Sequence, residues 1–111
     1  MAKHEFGIMQ KKPAFNERYD IYEPRKYNCI TVEDDLIEPI TVDLQGVDCY
    51  WHTLQRAEKG LAYCGITLIP PKSIEVLISI LSSYNKQKYS SLIDLAKQAK
   101  ENEKYIIHFG I

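Results

Sequence analysis

The stretch Asp48–Pro71, DCYWHTLQRAEKGLAYCGITLIPP, decides how this chain is read. Two β-rich runs flank the polar segment Gln55–Gly60, and pairing Leu54 with Leu61 across it sets the register of a hairpin. Strand side chains alternate between faces. Cys49, Trp51, Thr53, Ala62, Cys64, Ile66 and Leu68 then share one face, which is small and apolar and suits packing under helices, with Trp51 in the core. Tyr50, His52, Leu54, Leu61, Tyr63, Gly65 and Thr67 share the other, which is aromatic and hydrogen-bonding.

Downstream, Pro70-Pro71 stops the strand and opens a helix, SIEVLISILSSY, with Ile74, Leu77, Ile78 and Leu81 on one face. SSLIDLAKQAKENE predicts a second helix, with Ser91 and Asp94 at capping-box spacing and an apolar stripe of Leu92, Leu95, Ala96 and Ala99. KYIIHFGI closes the chain as a strand, and alternation leaves open whether Ile106 or Ile107 points to the core, hence which face His108 takes.

Upstream, KYNCITV alternates as a strand from Tyr27. In EDDLIEPITVDLQG, Asp35 with Glu38 has capping-box spacing and Leu36, Ile40 and Leu44 recur at helical intervals. Pro39 fits only the first turn of such a helix. Residues 1–26 show no sustained period; EFGIM suits at most a short edge strand, and the rest reads as an extended N-terminal arm packed on the domain by Phe15, Tyr19, Ile21 and Tyr22. The expected organisation is that arm followed by a single α+β domain, 27–111. Its element order predicts a two-layer sandwich: a mainly antiparallel sheet of four to five strands with helices on one face, in the ferredoxin-like βαββαβ order with an extra helix. Tyr27–Val32 and Leu61–Ile69 then lie in the centre of the sheet, and Tyr27, Tyr50, His52 and Tyr63 form its open aromatic face, the candidate binding surface.

With 111 residues, 45% hydrophobic and 26% charged, the chain suits one soluble core. A formal net charge of −1 gives no general pull toward DNA, RNA or a membrane surface. Three scattered cysteines argue for a reducing cytoplasm, and MAKHEFGIMQ has no apolar secretory core. The longest apolar run, Ile74–Leu81, is too short to span a bilayer.

Three functions compete. Aromatic, amphipathic sheet faces suit protein interfaces, so a non-enzymatic interaction or self-association module, as a homodimer or with another protein, is the leading reading. A covering arm with no partner is its intramolecular counterpart. The segment Lys59-Gly60-Leu61-Ala62-Tyr63 resembles part of the signature strand of RNA-recognition motif domains, which implies base stacking by Tyr63. Leu61 stands where an aromatic belongs, however, and the acidic run Glu33–Asp48 weakens phosphate attraction. Third, Cys29 and His52 could form a nucleophile–base pair or part of a metal or ligand site, although no CxxC, HxxxH or glycine-rich nucleotide motif supports a metal or a cofactor. The strings YWHTL, GLAYCGITLIPP and IIHFGI resemble those of an uncharacterised family of small bacterial cytosolic proteins. That resemblance spans nearly the whole chain and implies no activity, cofactor or site residue.

Overall fold

The strongest apolar patterns fold as their spacing dictates. In the computed structural model, which describes residues 2–111, helix α3 runs Pro71–Asn85 and α4 runs Ser90–Glu101. Pro71 occupies the first turn of α3, where its missing N–H costs nothing. The two helices bury Ile74, Leu77 and Leu81 from one and Leu92, Leu95, Ala96 and Ala99 from the other. No side chain caps α4, so the Ser91/Asp94 box does not form.

The region before the hairpin departs from one helix. Pro39 cannot continue a helix that started five residues earlier, and the segment splits. α1 is Asp34–Ile37, a 3-10 turn follows at Glu38–Ile40, and α2 is Thr41–Leu44, none with a side-chain cap. Ile37, Ile40 and Leu44 still reach the core.

Among the described residues six strands form one sheet: β1 Lys3–Ile8, β2 Ile30–Glu33, β3 Asp48–Trp51, β4 Ala57–Lys59, β5 Ile66–Ile69 and β6 Ile106–Phe109. Their order is β2-β1-β6-β5-β3-β4, and every pairing is antiparallel. The protein is thus α+β with an open antiparallel sheet. The four-to-five-strand count and the ferredoxin-like order are not what the chain adopts. β2 and β3 do run in the same direction, joined by α1 and α2, but that order would pair β2 directly with β5, whereas β1 and β6 lie between them. The segment expected at most to edge the sheet, β1, lies inside it between β2 and β6, so a boundary at 26/27 separates neighbouring strands. Tyr27–Val32, expected at the centre, yields only the edge strand β2; Tyr27 itself ends a 3-10 turn, Pro24–Tyr27, with Asn28 in the left-handed region (φ 50°).

The Asp48–Pro71 stretch holds three strands instead of two. The first run is oriented as its alternation predicts: Cys49 faces the helices and Tyr50 faces away. His52 then adopts φ 64° and Gly60 φ 79°, two breaks that interrupt the alternation. Between them β4 pairs with β3, Tyr50 opposite Ala57, while β5 pairs with β3 on its other edge, Trp51 opposite Thr67. The second run is therefore reversed: Ile66 and Leu68 face away from the helices, and Thr67 faces them. Trp51 is not core. It is half-buried, donates its indole N–H to the Gly60 carbonyl at 2.9 Å and lies under the Arg56 guanidinium.

Ile106 and Ile69 pack under the helices with Phe6 and Val32. On the opposite face, Met9, Ile66, Leu68, Ile107 and Phe109 form a second cluster under Tyr19, Tyr27, Cys29 and Leu54. Gly7 permits this, because any Cβ there would meet Tyr27 and Cys29 at 2.7 Å.

Candidate functional site

The four expected surface residues do not stay together. Tyr27 and Tyr50 pack on the arm-side cluster, and His52 joins them at its margin. Tyr63 packs with the helix-side cluster instead. Nor is the face open, since residues of the arm lie on it.

His52 fastens the arm. Its carbonyl accepts from the Tyr19 N–H at 2.7 Å, and its Nδ1 lies 3.1 Å from the Tyr19 carbonyl and 2.9 Å from an Asp20 carboxylate oxygen. On the other side its N–H donates to the Ile66 carbonyl at 3.0 Å, and Nε2 accepts from the Ile66 N–H at 3.4 Å. These contacts assign the Nδ1–H form. Arg18 grips Asp20 through two hydrogen bonds, and that contact, ahead of His52, holds the Asp20 carboxyl below its ordinary range. A cavity of about 470 Å³ opens beside His52, lined by Asp20, Tyr22, Cys64, Ile66 and Phe109, with Lys3 and Glu5 at its edge.

Cys29 does not line that cavity; it lines a neighbouring one with Tyr22 and Arg25. Burial, then Glu5, pushes its thiol up to about 12, so no thiolate forms there at neutral pH. Cys49 is likewise pushed up to about 12 by burial and Asp48. A Cys29–His52 nucleophile–base pair therefore has no support from the geometry. Among the described residues, no group of three or more His, Cys, Asp or Glu side chains could hold a metal ion. The Lys59–Tyr63 fragment ends β4 and enters a loop, so it forms no strand platform for stacking bases.

Sequence reasoning missed the polar centre of the molecule, which lies on the helix side of the same sheet. His4, His108 and Thr67 are each 0% exposed. They stand side by side on β1, β6 and β5, and Asp34 at the start of α1 extends the row. The distances are 2.9 Å from Asp34 Oδ1 to His4 Nε2, 2.9 Å from His4 Nδ1 to His108 Nε2, and 3.1 Å from His108 Nδ1 to Thr67 Oγ1. Thr67 Oγ1 also accepts the Ala62 N–H at 2.8 Å. The Tyr63 hydroxyl donates to the same Asp34 oxygen, and its ring meets His4 edge-on.

The carboxylate sets the direction of every proton in this row. Ionised Asp34 can only accept, so a neutral His4 donates from Nε2 and accepts at Nδ1. His108 must then donate from Nε2 and accept at Nδ1, and Thr67 must donate its hydroxyl proton to His108. The Tyr63 hydroxyl, then His4, holds the Asp34 carboxyl below its ordinary range, while the Asp34 contact drives Tyr63 up to about 12. Burial, and secondarily His4, pushes the His108 imidazole well below its usual value and keeps it neutral. His4 was legible only as a polar residue in an unpatterned segment; the signal was its alternation with Phe6, which puts both on one face.

Comparison of the chain with protein-family models, with curated proteins and with solved structures returns no match. No described helix is long and apolar enough to cross a membrane.

Proposed function

We propose that this chain is a non-enzymatic protein-interaction module that self-associates through the arm-covered side of its sheet. The observation that carries this reading is the outward surface of the arm. Phe15, Ile21 and Tyr22 are 67, 71 and 61% exposed, the Tyr22 ring touching Phe109 only by its edge, while Tyr19 of the same arm packs inward. Tyrosine and large aliphatic side chains supply contact area with few rotors, and an arm already fastened by His52 loses little further freedom on binding. Asp20 and Tyr22, which flank Ile21, line the His52 cavity, so a two-fold operator would bring two such edges together. The Cys29 thiol, held protonated by burial, favours binding over thiol chemistry on this side.

The test is the solution mass of the natively purified protein by light scattering, with the 260/280 nm absorbance ratio read across the peak. A dimer free of nucleic acid, converted to a monomer by the double variant Ile21→Ser/Tyr22→Ser without loss of melting temperature, is the expected result. A wild-type monomer at the highest accessible concentration overturns self-association. Raised 260 nm absorbance would direct attention to nucleic acid.

A further inference from the structure

We propose that the row Thr67–His108–His4–Asp34 is a proton-operated latch, which holds loop 60–65 against the sheet and releases it when the row takes up one proton. This goes beyond the association reading and stands on the hydrogen bonds of the row alone.

In the neutral row each imidazole acceptor is already used. His108 Nδ1 takes the Thr67 hydroxyl proton and His4 Nδ1 takes the His108 Nε2 proton. A further proton finds no free lone pair on either ring and enters only by reversing a bond. If it settles on His4, beside the Asp34 carboxylate, His4 donates from both nitrogens. His108 must then accept at Nε2 and carry its own proton on Nδ1, which it donates to Thr67 Oγ1. If it settles on His108, Nδ1 again becomes a donor toward Thr67. Either way the Thr67 hydroxyl proton loses its acceptor at a position 0% exposed to water. A buried donor without a partner is costly, and the penalty falls on Thr67, although the charge can rest two strands away.

Thr67 is also where the row grips the loop. Its Oγ1 accepts the Ala62 N–H, and the Tyr63 hydroxyl holds Asp34 at the far end. Turning the Thr67 hydroxyl to find an acceptor competes with the Ala62 bond. Elsewhere the loop is anchored at its start by the Trp51 indole N–H on the Gly60 carbonyl at 2.9 Å and by the Gly60 N–H on the Val47 carbonyl at 2.9 Å, and at its end by backbone bonds from the Gly110 N–H to the Gly65 carbonyl at 2.7 Å and from the Ile111 N–H to the Tyr63 carbonyl at 3.0 Å. The charged and titratable groups around the row are Asp34 from α1, Glu38 from the turn behind it, and Tyr63 and Cys64 from the loop. β1 adds His4 and the Phe6 ring that packs on His108; β5 and β6 add Thr67 and His108. Cys64 and Gly65 wall the His52 cavity, so opening the loop reshapes that wall on the opposite side of the sheet.

The experiment follows amide hydrogen exchange, expressed as protection factors, together with imidazole ¹⁵N shifts from about pH 8 to about pH 5. At the upper end both imidazoles should show Nε2–H with Nδ1 as acceptor. As the row takes up its proton, Ala62 should lose protection about tenfold per pH unit, while α3 and α4 stay protected. Asp34→Asn keeps both acceptor contacts but removes the charge, and should move the Ala62 midpoint down by about one pH unit or more. Thr67→Val should leave Ala62 unprotected across the range; if that variant does not fold, Asp34→Asn carries the test. Ala62 protection that stays flat while the imidazoles titrate overturns the latch. So does a midpoint unmoved in Asp34→Asn, or loss of protection by all strands and helices together.

Discussion

On the helix side of the sheet, Phe6, Ile69 and Ile106 lie under α3 and α4, and the fully buried polar side chains among them bond to one another in a row. On the arm side, Ile66, Leu68, Ile107 and Phe109 lie under tyrosines whose hydroxyls reach surface carboxylates, Tyr19 to Glu17 and Tyr22 to Glu5. The difference follows from what covers each face. Two amphipathic helices exclude water over a continuous area, so any polar group beneath them needs an internal partner. An extended arm is one chain thick, and amphipathic rings with wet tips cover a sheet without such partners. Stability should reside on the first side and adaptability on the second.

The largest effect that could break this contrast is truncation of the Phe6 side chain. Phe6→Ala should cost about 3–5 kcal/mol in urea unfolding, and a loss under 1 kcal/mol would mean that the helix side is not the core. His108→Ala strands His4 Nδ1 and the Thr67 hydroxyl, and should cost about 2–4 kcal/mol. An unchanged midpoint would show that the row relaxes or hydrates freely. Third comes pH. Because the folded His108 imidazole titrates well below its unfolded value, the unfolded chain binds more protons once pH drops below about 6.5. Stability should be fully present above that value and fall by about 1.4 kcal/mol per pH unit below it, until the folded imidazole itself titrates. Asp34, lowered by Tyr63 and His4, adds its own loss only as pH passes below the ordinary carboxylate range. A stability curve flat from about pH 7 to about pH 5 would contradict a neutral buried His108.

On the arm side, Tyr27→Ala removes a half-buried ring that packs against Phe109, and about 1–2 kcal/mol is expected. Smallest of all, Tyr22→Ala should change stability by no more than about 0.5 kcal/mol, although Tyr22 stands on the proposed association surface. A larger loss of stability would show that its edge contact with Phe109 serves the fold, and would weaken its claim as an association residue.

The parts of the fold that could be read from sequence were those with unbroken periodicity. α3 and α4 carry apolar stripes over three or more turns, and the parity of Cys49 and Tyr50 holds within one uninterrupted strand. Parity does not survive a change of backbone region. The positive φ at His52 and Gly60 separates Tyr50 from Tyr63 by two resets, so a face assigned by counting across both ended reversed. β1 was read as at most an edge strand for another reason: its six residues include a histidine and a glycine, and their burial depends on partners about a hundred positions away. Long-range pairing of that kind leaves no local pattern. The same holds for the polar row, whose members came from an unpatterned segment, a helix start, a strand thought to face the other way and a strand of undecided orientation.

The placement of β1 beside β6 has a consequence for how the chain acquires its shape. Each strand pair flanking them, β2 with β1 and β5 with β3, joins segments separated by a few tens of residues, whereas the His4–His108 contact spans 104. Closing so long a loop is entropically late. A nascent chain can form the β3–β4–β5 unit and α3–α4 while β1 waits with one edge unpaired. β6 then enters as the strand that joins two preassembled halves. Until it does, Phe6 and Ile66 are exposed to other chains, so crowding during synthesis should act on β1 and β5 before any other part of the sheet.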